Sequence, residues 1–111
     1  MEDLTREQVI AIIREQNVYP LSRKKQIGKC SAWYSDNGTG SDNYSTLSGY
    51  HVRVLQSYWT NVALYVRELD TVYFLGTWSN TTVQHQYKFA RLFNASRIIR
   101  YSADGLGLGW E

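Results

Sequence analysis

The order of the strand and helix patterns between Ser57 and Tyr101 limits the folds that this chain can adopt. The stretch holds two strand patterns separated by a turn at Leu69-Asp70, then a helix pattern and a last strand pattern that ends at Tyr101. The short turn predicts an antiparallel pair, and the helix before the last strand predicts a crossover. The sequence therefore predicts an α+β domain: an N-terminal helix, an antiparallel sheet of about four strands covered by one helix, and a final strand after a crossover.

Three segments alternate apolar and other side chains with the period of a β-strand. The first is His51–Gln56, and the next two end at Glu68 and Gly76. Alternation places successive side chains on opposite faces, so the pattern predicts one aliphatic face. The opposite face is predicted to carry His51, Arg53, Tyr65, Arg67 and Tyr73.

The first helix is predicted from its start signal. Thr5 and Gln8 match the capping-box pattern, in which each side chain bonds the backbone N–H of the other residue. Apolar residues then share one narrow stripe over residues 6–16, so this helix is predicted to lie on the surface of the domain.

A second helix is predicted from Thr82 to Phe93, where apolar residues occupy a broad arc. Asn80 or Thr81 is its predicted N-cap, and Asn94 its predicted left-handed C-cap. Because this helix follows the strands directly, we expect it to cover the aliphatic face of the sheet.

The length of the chain predicts a single domain over residues 1–111, since a chain of this size supports one hydrophobic core. Residues 1–21 are predicted to form the first helix and a connector, residues 22–101 the α+β core, and residues 102–111 a Gly-rich tail. Within the core, residues 26–34 suit an edge strand. Residues 35–48 read as a polar loop that is long for a compact domain.

Charge and cysteine usage favour a soluble protein of the cytoplasm. The formal net charge is only +2, so any case for nucleic acid rests on local clustering. Cys30 is the one cysteine of the sequence, which excludes an internal disulfide. The first residues lack the apolar core of a signal peptide, and no window reaches the length of a membrane span.

The sequence contains no recognisable set of catalytic residues. His51 and His85 are the two histidines, and neither has companions at metal-ligand spacing. Cys30 could be imagined as a nucleophile with either histidine, but nothing local activates its thiol. His85 is predicted to hydrogen-bond a neighbouring strand or the turn at the helix start. We therefore predict no enzymatic activity, no metal and no cofactor.

Two groups of residues suit the binding of a macromolecule. One is a basic segment, Arg23, Lys24, Lys25 and Lys29. The other is the tyrosine and arginine face of the sheet, because rigid tyrosine rings and arginines are typical of protein interfaces and also stack on single-stranded nucleic acid. The alternative is a solvated face in which tyrosines and arginines pair across strands.

Two motifs carry a family resemblance. The first is Ser57-Tyr58-x-Thr60-x-Val62-Ala63, at the entry to a strand, and the second is Trp78-Ser79-x-Thr81-Thr82-x-x-His85-x-x-x-Phe89, at the entry to a helix. Together with Gly28-Lys29 and Ala32, they make residues 28–101 resemble a family of small, uncharacterised bacteriophage and prophage proteins. The chain departs from that pattern in the insertion from Asp36 to Thr46 and in Trp78, where tyrosine is commoner.

The resemblance implies that the protein comes from a phage or prophage, and it implies less about its mechanism. Small phage accessory proteins often bind and disable a host defence complex, CRISPR effectors among them, without catalysis. It thus implies an anti-CRISPR-like binding protein in the cytoplasm of a bacterial host. Two alternatives stay open: a nucleic-acid-binding accessory protein that uses the basic and aromatic side chains, and self-association into a homo-oligomer through the tail or a strand edge.

Overall fold

The computed structural model describes residues 3–18, 24–29, 31–35, 44–57, 60–76 and 79–101. These ranges contain two helices, α1 (Arg6–Val18) and α2 (Asn80–Leu92). They also contain the strands β1 (Lys24–Gln26), β2 (Ala32–Ser35), β3 (Ser45–Leu47), β4 (Tyr50–Ser57), β5 (Thr60–Val66), β6 (Thr71–Phe74) and β7 (Arg97–Arg100). The predicted α+β class is confirmed, but the sheet has seven strands where about four were predicted.

The strands form one mixed sheet in the order β1-β2-β4-β5-β6-β7. All pairings are antiparallel except that of β6 with β7, which is parallel because α2 carries the chain across a face of the sheet. The predicted crossover before the final strand is therefore confirmed. β3 pairs with the start of β4 and β2 with its end, so the two short strands share one side of β4.

Both strands that the sequence pattern missed belong to tight hairpins. The predicted single strand over residues 26–34 is wrong, because the chain turns at Gly28, with φ of 57°, and β1 pairs back on β2. β3 falls in the predicted polar loop and joins β4 through Ser48 and Gly49, whose φ angles of 50° and 83° suit a two-residue hairpin turn. Residues 36–43 of that loop, and the tail from 102 to 111, lie outside the described residues.

Each face of the sheet is covered by one helix. α1 buries Val9, Ile12 and Ile13 against the aliphatic face, and α2 buries Phe89 and Ala90 against the other face. The prediction that α2 covers the aliphatic face is therefore wrong. A crossover helix covers the face that the handedness of its βαβ unit selects, whichever face is more aliphatic.

The predicted capping box at the start of α1 is confirmed. The backbone N–H of Gln8 donates to Thr5 Oγ1 at 3.2 Å, and the backbone N–H of Thr5 donates to Gln8 Oε1 at 2.7 Å. Leu4, just before the box, is buried in the same core cluster as Val9. These contacts fix the angle at which the chain enters α1.

The ends of α2 match the sequence pattern with one shift. The N-cap is Ser79, whose Oγ accepts from the N–H of Thr82, and not Asn80 or Thr81 as predicted. Asn94 has the predicted left-handed conformation, with φ of 52°. The N–H of Ala95 donates to the carbonyl of Ala90 and that of Asn94 to the carbonyl of Arg91, which is the Schellman pattern.

Candidate functional site: an arginine–aromatic cluster

Four aromatic rings and one arginine meet on the face of the sheet that α2 covers. Arg53 of β4 lies opposite Tyr65 of β5, so both side chains project from this face. Phe93, at the C-terminal end of α2, stacks on Tyr65 with ring centroids 5.2 Å apart. Tyr34 of β2 and Tyr44, which precedes β3, contact the same rings. We call Tyr34, Tyr44, Arg53, Tyr65 and Phe93 the arginine–aromatic cluster.

Arg53 sits among three ring faces of this cluster. Its guanidinium carbon lies 4.5 Å from the ring centroid of Tyr44, 4.9 Å from that of Phe93 and 5.3 Å from that of Tyr34. Only 9% of its surface is exposed. The guanidinium group is therefore held in a defined position by cation–π contacts.

Among the described residues, no acidic side chain forms an ion pair with Arg53. An arginine keeps its positive charge at any ordinary pH and offers five N–H donors. Its Nε is buried with no hydrogen-bond partner in the described part of the chain. Each cation–π contact contributes about 0.5–2 kcal/mol, but ring faces are weak acceptors, and a buried donor without an acceptor costs roughly 1–3 kcal/mol.

The acidic side chains of the neighbouring turn bind other groups. Asp70 accepts a hydrogen bond from the Tyr65 hydroxyl at 2.8 Å. Burial, and then the bond and charge of Asp70, raise the pKa of Tyr65. Glu68 accepts from the backbone N–H of His51 at 3.0 Å and contacts its ring Nδ1. Partial burial opposes ionisation of Glu68, yet the hydrogen bonds from His51 outweigh it and hold its pKa below the ordinary value. Both carboxylates therefore bind neighbours of Arg53 and not Arg53 itself.

Arg67 forms the exposed rim of the cluster. Its guanidinium carbon lies 5.1 Å from the ring centroid of Tyr44, the ring that also contacts Arg53. Tyr44 is half-buried and Arg67 is exposed. Two guanidinium groups on one phenol ring concentrate positive potential where the cluster reaches the surface.

The predicted surface residues do not all lie together. His51, Arg53, Tyr65 and Arg67 belong to the strands and turn around the cluster, although Arg53 and Tyr65 are buried where a solvated face was expected. Of the basic segment, Lys25 and Lys29 are exposed. Lys25 pairs with Tyr34 across β1 and β2, which puts it on the face of the cluster. Arg23 and the side chain of Lys24 lie outside the described residues.

The placement of Tyr73 beside these residues is wrong. Tyr73 lies opposite Leu64, whereas Val72 lies opposite Tyr65, so Tyr73 projects towards α1. It is fully buried, and its hydroxyl accepts a hydrogen bond from the backbone N–H of Leu4 at 3.1 Å. The register of β6 against β5, which alternation alone leaves open, decides this placement.

Sequence reasoning missed three members of the cluster. The sequence pattern places Tyr34 and Phe93 at apolar positions of a strand and a helix, and Tyr44 in a polar loop. The available signal was limited to Arg53 itself, because an arginine within an alternating strand packs on aromatic rings if the face is covered. No spacing in the sequence indicates that these particular rings converge.

The two resemblance motifs meet in a second, buried polar cluster. Ser57 Oγ lies 2.9 Å from Nδ1 of His85 and 3.4 Å from Thr82 Oγ1. This confirms the predicted hydrogen bond between His85 and a neighbouring strand. Ser57 and His85 are 2% and 4% exposed, and burial, then the charge of Lys88, lower the pKa of His85. The pair therefore holds the start of α2 on the end of β4.

Two features of the described residues bear on other functional classes. The side chains described include no group of three or more His, Cys, Asp or Glu residues arranged to hold a metal ion. Neither helix in these ranges is long and apolar enough to cross a membrane. Cys30, considered above as a nucleophile, lies outside the described residues.

The fold and the cluster define a small α+β protein whose mixed sheet lies between two helices and encloses an arginine among aromatic rings. The chain belongs to DUF8033, a family of unknown function whose model matches residues 15–104. The match begins near the end of α1 and spans the arginine–aromatic cluster and the Ser57–His85 pair. Comparisons with curated proteins and with solved structures find no match.

Proposed function

We propose that this chain is a non-enzymatic phage accessory protein that acts in the cytoplasm of a bacterial host, where it binds a macromolecular complex and inhibits or modulates it. The most specific target is a CRISPR effector nuclease. Two features support the proposal: the motif resemblance to phage and prophage proteins, and the arginine–aromatic cluster with its exposed rim. The observation that carries the binding role is the pair of guanidinium groups, Arg53 and Arg67, on the ring of Tyr44.

The cluster has the properties of a binding hot spot. Arginine and tyrosine are the residue types that, with tryptophan, dominate the energetics of protein interfaces. Here Arg53 is fixed by rings from β2, α2 and the segment before β3, so little side-chain freedom remains to be lost when a partner binds. Arg67 at the rim is exposed, so its side chain lies on the surface that a partner would contact.

The burial of the Ser57–His85 pair supports a function without catalysis. A serine nucleophile must be reached by its substrate, and Ser57 is only 2% exposed. The hydroxyl and the imidazole already bond each other and join two elements of the fold. The pair is therefore sufficiently explained by its contribution to the stability of the domain.

A nucleic-acid-binding function is the second candidate. It is favoured by the exposed Lys25 and Lys29 of the β1–β2 hairpin, of which Lys25 pairs with Tyr34 and lies on the same side of the sheet. Lysines beside aromatic rings suit the phosphates and bases of a single strand. The net charge of +2 and the burial of most cluster rings favour a protein partner instead.

Cleavage assays with a panel of purified CRISPR effectors test the proposal. The wild-type protein is added to each effector before its guide and target, and the cleavage rate is compared with that in the presence of the Arg67→Glu variant. Arg14→Glu is the matched control, because Arg14 is exposed on α1, which covers the opposite face of the sheet. We expect the wild type and Arg14→Glu to slow one effector and Arg67→Glu to lose most of this effect.

Binding measured at rising salt separates the two candidates. Phosphate contacts release counterions, so binding to nucleic acid should weaken steeply with salt, while a mixed protein interface should respond less. Binding that needs nucleic acid and is lost with Lys25→Glu, but not with Arg67→Glu, would replace the first candidate with the second. An unchanged cleavage rate throughout the panel would remove CRISPR effectors as the target.

A further inference from the structure

We propose that Arg53 is a receptor for a carboxylate group, and that the partner of this protein inserts an aspartate or glutamate side chain onto it. This inference rests on the proposed function and specifies the chemistry of the partner. It starts from an imbalance in the cluster: the guanidinium of Arg53 has aromatic neighbours on three sides, and its buried Nε has no acceptor among the described residues. The 9% of Arg53 that remains exposed is the part that a partner's carboxylate would reach.

The two acids at the turn between β5 and β6 do not supply the missing acceptor. Asp70 is bonded to the Tyr65 hydroxyl, and Glu68 is bonded to the backbone and ring of His51. The ion pairs found in the described ranges join His51 with Glu68 and Arg97 with Asp3. Within the described ranges, Arg53 therefore presents a fixed positive charge without a carboxylate partner.

The geometry favours a carboxylate over other anions. A guanidinium group binds a carboxylate through two parallel N–H···O bonds in one plane, and aromatic walls restrict approach to that plane. Phosphate backbones are bound by several cations along a track, whereas here a single buried arginine is accompanied by one exposed arginine at the rim. One side-chain carboxylate fits this arrangement better than a polyanion.

The rim explains how a carboxylate would reach Arg53. Tyr44 contacts both guanidinium groups and is half-buried, so it lies at the boundary between the cluster and the surface. Arg67 adds a second positive charge at that boundary, which attracts an acidic side chain before it enters.

Side-chain NMR of arginine provides a test that does not require the partner. The Nε–Hε signals are recorded while acetate is added, with chloride at equal ionic strength as the control. Arg100 is the internal control, because its guanidinium also lies over two rings, Phe74 and Tyr87, but it is exposed. We expect a saturable shift of the Arg53 signal with acetate, none with chloride, and no saturable shift for Arg100.

Two substitutions check the assignment. Arg53→Met removes the charge and the donors while keeping an unbranched side chain, and Arg53→Lys keeps the charge but loses the planar fork. The raised thermal midpoint that acetate gives the wild type should be absent from Arg53→Met and reduced in Arg53→Lys. If Arg53→Met does not fold, the Arg53→Lys variant and the wild-type titration still decide the question.

Several outcomes would overturn the inference. An Arg53 signal that moves equally with acetate and chloride would show general ionic screening. A shift with inorganic phosphate and none with acetate would point to nucleic acid. Asp36 and Asp42 lie outside the described residues, so the titration is repeated on the Asp36→Asn/Asp42→Asn variant. An acetate response that appears only in this variant would identify a carboxylate of the chain itself as the occupant.

The inference and the proposed function fail in different ways. If Arg53→Met binds the inhibited effector as tightly as the wild type, the carboxylate site is wrong and the binding function stands. If acetate binds Arg53 but no effector is bound, the site stands and the target is wrong. When both hold, Arg53→Met should weaken partner binding at least about tenfold, as expected for a central arginine of an interface.

Discussion

The hydroxyl of Tyr73 accepts a hydrogen bond from the backbone N–H of Leu4 at 3.1 Å, and this bond ties the entry of α1 to β6. Tyr73 is fully buried and its ring stacks near Tyr101, with centroids 6.4 Å apart. Leu4 precedes the capping box, so the bond fixes the point from which α1 runs over the aliphatic face. The first helix is thus anchored to the sheet by a polar contact as well as by its apolar stripe.

Replacement of Tyr73 by phenylalanine tests that anchor. Tyr73→Phe keeps the ring but leaves a buried backbone N–H without its acceptor, so we expect a loss of about 1–3 kcal/mol in the free energy of unfolding. Urea denaturation followed by circular dichroism measures it. Tyr87→Phe is the matched control, because no hydrogen bond of its hydroxyl occurs among the described residues. Equal stability of the two variants would contradict a structural role for the bond.

The features predicted correctly from the sequence are those that depend on neighbours in the chain. The capping box needs only Thr5 and Gln8, three positions apart, and the left-handed C-cap needs only Asn94 after an apolar helix. Strand alternation separates the two faces of β4 and β6 correctly, and those of β5 from Ala63 onward. It fails at Val62, which lies beside the register shift of β5 against β4 and packs with Ala63 under α2. Such signals are local because hydrogen bonds and side-chain directions within one element follow from its period.

The features predicted wrongly depend on how elements meet. Alternation allots Tyr73 to one side of β6, but the turn over Arg67–Leu69 and Asp70 sets the register that puts it opposite Leu64. The same limit applies to the arginine–aromatic cluster, whose rings come from segments far apart in sequence. Arg53 and Tyr65 are predictable as neighbours on a face, but their enclosure by Phe93 depends on which face α2 covers.

The left-handed conformation of Asn94 gives a second stability prediction. With φ of 52°, Asn94 sits where a side chain with a Cβ atom is disfavoured and glycine is not. We expect Asn94→Ala to lose roughly 1 kcal/mol in the free energy of unfolding, and Asn94→Gly to match or exceed the wild type.

The reverse ranking is expected inside α2. Gln84 is exposed in the middle of the helix, where glycine is less favourable than alanine by roughly 1 kcal/mol. Thermal denaturation of the four variants, at positions 84 and 94, provides the comparison. The same ranking of alanine and glycine at both positions would contradict the Schellman end of the helix.

The contact between His51 and Glu68 predicts a dependence of stability on acid pH. The pKa of Glu68 is lowered because hydrogen bonds from His51 outweigh the effect of partial burial. A carboxylate with a lowered pKa stabilises the fold above the pKa it has in the unfolded chain, and this contribution is lost as the pH falls through the folded value. The stability advantage of the wild type over Glu68→Gln should therefore be present at neutral pH and disappear in acid.

A double-mutant cycle isolates this contact. Urea unfolding of the wild type, His51→Gln, Glu68→Gln and the double variant gives the coupling energy at each pH. We expect a favourable coupling at neutral pH that declines as Glu68 is protonated. A coupling energy that is constant over the acid range would show that ionisation of Glu68 does not contribute.

Burial of His85 predicts a second loss of stability, at a higher pH than that of Glu68. Burial, then the charge of Lys88, lower the pKa of His85, so the folded protein favours the neutral ring. The unfolded chain takes up the proton at the ordinary pKa of histidine. The stabilisation is therefore complete above the pKa of the unfolded chain and is lost as the pH falls towards the pKa of the folded protein.

NMR titration of the two histidine rings measures the shift directly, and we expect the His85 ring to titrate below the ordinary value. The wild type should lose more stability than His85→Gln between neutral and mildly acidic pH, because only the wild type must charge a ring that is 4% exposed. A His85 ring that titrates at or above the ordinary histidine value would show that the bond to Ser57 favours the charged form, and that the pair is more open to solvent than its burial indicates.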